Sequence, residues 1–287
     1  MSEAANAAQK AYWNGPQGRR WIAMQERMDR VFEAATMAAV DAAGVRAGER
    51  VLDVGCGCGA TVLALAARVG AQGSVLGVDI SEPMLGRAAE RIAAAGYGQA
   101  ATLVADAASH AFEPGSFDLV FSRFGVMFFG DPIAAFANLR RAASGGRLVF
   151  LCFRPMAENE WVRVPYEAAS PLLPATPPPD PAAHQAEEVG QFAFADPARV
   201  MRILEGAGWH HIGLAPLDTA MRLAEPGDRN EAVERAMEIG AVARALLDAE
   251  PTVIARVREA IDAAFAAVET PSGVMLGAGM WLVSARA

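Results

Sequence analysis

The chain has 287 residues, 53% of them hydrophobic, and a formal net charge of −8 with no basic block. That length suits one large domain or two small ones around a buried core, and the dispersed negative charge argues against phosphate-dominated nucleic-acid binding. Residues 1–5 lack the basic flank and apolar core of a signal peptide, and no apolar run could span a bilayer, so the sequence predicts a cytoplasmic protein with a small-molecule partner and neither nucleic-acid nor membrane partners.

In chain order, Trp21, Met24, Met28, Val31, Phe32 and Ala35 recur at helical spacing and predict at least one amphipathic helix over 17–43. From Val51 to Phe153 short apolar runs alternate with amphipathic helical stretches, the pattern of a parallel sheet with crossover helices. The predicted strands are Arg50 to Val54, Ser74 to Asp79, Ala101 to Ala105, Phe117 to Ser122 and Arg147 to Phe153. A helix is predicted over Ala60 to Val69, and Ser81 with Pro83, Asp131-Pro132 and Asp196-Pro197 mark further helix starts. Six prolines between Pro171 and Pro181 exclude a regular helix or central strand and predict a loop. Beyond it come a helix over Pro197 to Ala207, a strand over Ile212 to Leu217, helices over Asn230 to Leu247 and Thr252 to Val268, and a last strand over Met280 to Ser284.

The chemistry concentrates in Asp53-Val54-Gly55-Cys56-Gly57-Cys58-Gly59, directly before a helix. Alternate glycines let the backbone turn sharply and let a ligand lie against main-chain atoms beside a helix N-terminus. Gly55-x-Gly57-x-x-Ala60 also fits the relaxed dinucleotide fingerprint, so the loop alone does not separate ligand classes. Asp53, two residues before the first glycine, Asp79, at the end of the second predicted strand, and Asp106, at the end of the third, sharpen it, because all would lie at one edge of the sheet. Of the three cysteines, Cys56 and Cys58 lie within the loop, and with no second Cys/His cluster they read as small space-filling side chains rather than metal ligands.

Taken together, VLDVGCGCG (51–59), VLGVDISEPML (75–85), LVADA (103–107), FDLVFSRFGVMFF (117–129) and GGRLVFLCF (145–153) resemble class I S-adenosylmethionine-dependent methyltransferases, the small-molecule branch, over about 100 residues. The resemblance implies an α/β, Rossmann-like, seven-stranded and mostly parallel sheet, its last strand antiparallel. Helices cover both faces, and a helical cap comes from the N-terminus and C-terminal insertions. It implies a cap segment at 1–46, a cofactor-binding core at 47–154, a substrate-wall or lid insertion at 155–196, and the rest of the sheet at 197–287 with cap helices near 228–268.

Carried onto these positions, the resemblance puts Gly55, Gly57 and Gly59, with Cys56 between them, against the methionine portion of S-adenosylmethionine, and Asp53 beside its ammonium group. Asp79 would accept both ribose hydroxyls, Asp106 the adenine amino group, and the Ala107 amide a ring nitrogen. Ile80 and Met84 would sandwich the adenine, Ser122 and Phe124 line the sulfonium end, and Trp13 and Trp21 cover the site. Methyl transfer needs alignment more than acid–base chemistry, and among His110, His184, His210, His211, Glu158, Glu160 and Tyr166 none is assigned a catalytic role. Met127, Phe128, Phe129, Trp161, Val164, Leu172, Leu173 and Phe192 suggest an apolar acceptor pocket. A dinucleotide-dependent (NAD(P)) oxidoreductase and a non-catalytic S-adenosylmethionine-binding protein remain the competing readings, and the exposed charge of the cap helices leaves a homodimer open.

Overall fold

The computed structural model describes residues 2–173, 189–238, 240–246 and 249–287. Its centre is a sheet in which β1 (Arg50–Val54), β2 (Ser74–Asp79), β3 (Ala100–Val104), β4 (Leu119–Arg123) and β5 (Arg147–Phe153) lie in the order β3-β2-β1-β4-β5. The pairings β1–β2, β2–β3, β1–β4 and β4–β5 are all parallel. The chain runs outward from β1 to β3, then returns to β4 on the other side of β1. That reversal opens the crevice at which ligands bind in open α/β sheets. Val51, Leu52, Val120, Phe121, Leu148 and Phe150 are buried on these strands, as expected of strands covered on both faces.

Strand β3 begins one residue earlier than the spacing predicts, and β4 runs from Leu119 to Arg123 rather than from Phe117 to Ser122. Arg50 explains the late start of β4. Its backbone N–H and guanidinium both bond the Asp118 carboxylate, which ties the approach to the strand at the sheet's lower edge. Helices α1 (Ser2–Asn14), α2 (Pro16–Ala23) and α3 (Gln25–Ala42) precede the sheet. Where at least one helix is expected over 17–43 there are two, broken at Met24, and α1 lies in the expected N-terminal cap segment at positions that no apolar periodicity marked. Helix α4 (Ala60–Val69) follows β1, α5 (Glu82–Ala95) follows β2, and α6 (Pro132–Ala142) precedes β5. The Asp131 carboxylate accepts from the Ala134 amide and so caps α6.

Further along lie α7 (Glu160–Ala169), α8 (Pro197–Gly206), α9 (Arg229–Glu238), α10 (Gly240–Ala245) and α11 (Pro251–Ala266). The predicted helix over Asn230 to Leu247 is therefore α9 and α10, with Leu247 outside the described residues. Pro174 to Pro181 and His184 also lie outside them. The two late strands are far longer than predicted: β6 spans His210–Ala224 and β8 spans Gly273–Arg286. With β7 (Glu269–Thr270), which pairs antiparallel with β8, the sheet has eight strands among the described residues, and β8 lies between β5 and β6.

The chain divides into two compact units. The first comprises residues 1–152, 188–217 and 280–287, and its centre includes Phe136, Phe150 and Phe194 in mutual ring contact. The second comprises residues 153–187 and 218–279. There Val257, Ile261 and Phe265 of α11 and Val233 of α9 are buried, while Arg229 joins Asp262 and Glu269 and Arg258 pairs with Glu234. Among the described residues no helix is long and apolar enough to cross a membrane.

Candidate functional site

The crevice between β1 and β4 is built by glycines in two loops. Gly55, Gly57 and Gly59 have φ of 67°, 53° and 83°, a region that side-chain-bearing residues enter only with strain. A Cβ on Gly55 would lie 2.6 Å from the Gly125 Cα, so the ends of β1 and β4 approach backbone to backbone. A Cβ on Gly57 would lie 2.9 Å from the Met84 Cε. The side of the glycine loop that lacks side chains therefore packs on protein, and the ligand reading rests on its other face. Cys56 is buried with its thiol against Gly77, where a Cβ would come within 2.8 Å of the sulfur. Burial raises the thiols of Cys56 and Cys152 and pushes Cys58 up to about 12, so none is a thiolate near neutrality.

Asp53, the penultimate residue of β1, is completely buried. Thr61 from α4 donates its hydroxyl to Oδ2, and Oδ1 has no partner among the described residues. Burial pushes the carboxyl up to about 7, against the Thr61 bond and the Arg123 charge, which lower it. Arg123, at the end of β4, sends its guanidinium to the Thr36 hydroxyl at 2.7 Å and over the Phe32 ring at 5.4 Å.

Asp79, at the end of β2, accepts the Gly57 amide on Oδ2 and the Ser81 amide on Oδ1, each at 2.9 Å. Burial raises its pKa and these backbone donors lower it. The Ile80 amide also bears on it, and because a carboxylate carries about four acceptor sites, these bonds leave acceptor capacity for a ribose hydroxyl. Asp106, beyond β3, holds the Ala108 amide at 2.9 Å. The Ala107 and His110 carbonyls are in turn fixed by the amide of Asn138, buried on α6.

Other predicted residues sit less openly. Met84 is 4% exposed and packs beneath Gly57, so burial leaves its side chain little surface for an adenine. Ser122 is fully buried and spends its hydroxyl on the Val54 carbonyl, bracing β1 against β4 rather than facing a ligand. Ile80 is half-buried, with its carbonyl accepting from Asn14. Phe124 adopts φ of 70°, a conformation costly for an aromatic residue, and its ring meets Phe32.

At the N-terminal side, Trp13 makes edge contacts with Trp21 and with Phe128 at 6.0 and 5.5 Å between ring centroids. Sequence reasoning missed what holds this cluster in place. The Asn14 side chain donates to the Ile80 carbonyl and accepts from the Glu82 amide, while the Ser81 hydroxyl donates to the Trp13 carbonyl. Those bonds fasten the junction of α1 and α2 to the turn that follows Asp79. Among the histidines, the His110 ring packs on Phe112, and His210 and His211 are exposed neighbours. Glu158 pairs with Arg154, and Glu160 accepts the Gly277 amide. No group of three or more His, Cys, Asp or Glu among the described residues could hold a metal ion.

These residues fit S-adenosylmethionine on two observations: the buried Asp53 Oδ1, unpartnered among the described residues, suits an ammonium group, and the Asp79 carboxylate retains acceptor capacity for a ribose hydroxyl.

Comparison with known proteins agrees. Residues 51–146 match the family described as "Methyltransferase domain". Nocamycin O-methyltransferase of Saccharothrix syringae is 33% identical over 174 residues, covering 59% of this chain and 62% of that protein. Aklanonic acid methyltransferase DauC of Streptomyces sp. (strain C5) is 39% identical over 104 residues, 36% of this chain and 47% of that protein. The match thus spans less than two thirds of either relative. The YcgJ protein from Bacillus subtilis superposes with a TM-score of 0.55 at 17% identity, covering 88% of this chain and 98% of that one, which shows the fold. With its glycine loop and carboxylates at the crevice of this sheet, the chain matches a methyltransferase domain over residues 51–146 and is similar to small-molecule methyltransferases.

Proposed function

We propose that the protein transfers a methyl group from S-adenosylmethionine to a small, partly apolar molecule by in-line displacement. The observation that carries this reading is the buried Asp53 carboxylate, with one oxygen held by Thr61 and the other without a partner among the described residues, beside Asp79 on the neighbouring strand. In this reading Asp53 Oδ1 receives the ammonium group, Asp79 the ribose hydroxyls, and Asp106 with the Ala107 amide the adenine edge. When bound, the cofactor supplies a methyl group activated by its sulfonium.

The protein's own task is then alignment and exclusion of water. Trp13, Trp21 and Phe128 supply an aromatic cover, and an indole face favours a neighbouring cation. No general base is assigned: the thiols are raised by burial, and the described histidines are either packed on an aromatic ring or exposed. An acceptor that ionises readily, or one whose nucleophile is already electron-rich, needs none. The names of the nocamycin and aklanonic acid enzymes support a small organic acceptor, with oxygen, nitrogen and carbon nucleophiles all compatible.

A panel of phenols, carboxylic acids, amines and activated-carbon compounds incubated with methyl-labelled S-adenosylmethionine tests the reading. Labelled product from an apolar acceptor supports it. Cofactor binding with no transfer to any panel member would instead favour a binding protein that performs no chemistry.

A further inference from the structure

We propose that Thr61 is a positioning residue for the cofactor: its hydroxyl holds Oδ2 of Asp53, so that Oδ1 is left to receive the ammonium group at the amino-acid end of S-adenosylmethionine. The inference rests on the functional reading above and assigns a role to a side chain outside the glycine loop.

Thr61 is the second residue of α4 and is 2% exposed, while Asp53 is 0% exposed. Its β-branched side chain has few χ1 choices in a helix, and the one it adopts places the hydroxyl on the carboxylate. The other charged or titratable groups facing Asp53 are Arg123 from β4, Asp79 from β2 and Cys56 from the loop. Arg123 is engaged with the Thr36 hydroxyl, Asp79 with the Gly57 and Ser81 amides, and the Cys56 thiol packs against Gly77. Among the described residues, then, Thr61 is the hydrogen-bond donor to this carboxylate. Without it a buried acid keeps neither a fixed orientation nor its main local support for ionisation. The direction agrees: burial raises the carboxyl, and the Thr61 bond is the largest effect opposing it. Thr61→Val keeps the branched shape and deletes the donor; Thr61→Ser keeps the donor.

The test is calorimetric titration with S-adenosylhomocysteine and with adenosine, which lacks the amino-acid end, between about pH 5 and about pH 8. S-adenosylhomocysteine should bind the parent more weakly as pH falls through the Asp53 transition. Thr61→Val should bind it roughly tenfold more weakly at neutral pH, as expected for loss of a charge-assisted contact, with the pH midpoint displaced upward. Thr61→Ser should restore both. Adenosine affinity should be the same in parent and Thr61→Val at each pH, and Asp53→Asn should bind S-adenosylhomocysteine weakly at every pH. Thr61→Ala serves the same comparison if the valine variant does not fold. Parental affinity and midpoint in Thr61→Val, or an equal loss for both ligands, would overturn the proposal alone. A parent that binds neither ligand would overturn the cofactor reading and this proposal with it.

Discussion

Asp53 and Asp79 are acids whose folded-state pKa values lie above their ordinary ones because burial disfavours charge. An acid raised in this way holds its proton more tightly in the native state than in the unfolded chain. The linked stability is therefore greatest at low pH and is lost as pH climbs from near 3.8 to about 7 for Asp53. Asp53→Asn cannot ionise and escapes that loss. The melting temperature of the cofactor-free variant relative to the parent should thus increase from about pH 4 to about pH 8, and a difference flat with pH would contradict the burial argument. Asp79→Ala should weaken S-adenosylhomocysteine binding by roughly 1.5 to 3 kcal/mol through loss of charge-assisted hydrogen bonds, as read by titration. Unchanged affinity would remove Asp79 from the ribose site.

The glycine loop and the N-terminal helices act as elements. Gly55→Ala would force a side chain into φ of 67° and against Gly125, 2.6 Å from its Cα. Strain alone costs about 1–3 kcal/mol, and the overlap adds to it. Urea denaturation should show a loss of about 3 kcal/mol or more, whereas near-parental stability would mean that the two loops can separate freely. Asn14→Ala removes the bonds to Ile80 and Glu82 and leaves the sheet untouched. Hydrogen exchange should quicken in residues 2–14 with little change in the global transition, since local openings cost less than global unfolding. Exchange unchanged there would mean that ring packing of Trp13 holds α1 without the staple.

Some elements were readable because local chemistry specified them. Strands β1, β2 and β5 carry apolar runs whose ends coincide with the structure, and Pro132 after Asp131 announced α6. Helix α1 is rich in alanine and polar residues and lacks a long apolar stripe, so periodicity was silent there. The length of β6 was hidden because Asp218 interrupts its apolar run, although Met221 and Leu223 resume an inward alternation. In β8, Gly277 and Gly279 depress strand propensity, yet a Cβ at either would crowd Glu160 or Arg154.

Across the whole molecule, the glycines and aspartates of the site were legible because they lie in short motifs at strand ends. Thr61, Asn14 and Asn138 were not, because each acts through a partner 8, 66 and 31 residues away, a relation that appears only when the sheet brings loops together. The same distance in sequence explains why the acceptor is less legible than the cofactor. The second unit gathers residues 153–187 and 218–279, far apart in the chain and without a motif of their own. On the proposed reading the crevice holds an adenosine carrying an amino-acid tail. Calorimetric titration of the parent protein with S-adenosylmethionine, S-adenosylhomocysteine and NAD tests it most directly. Both sulfur compounds should bind and NAD little or not at all; tight NAD binding with silence toward the other two would put a dinucleotide in the crevice instead.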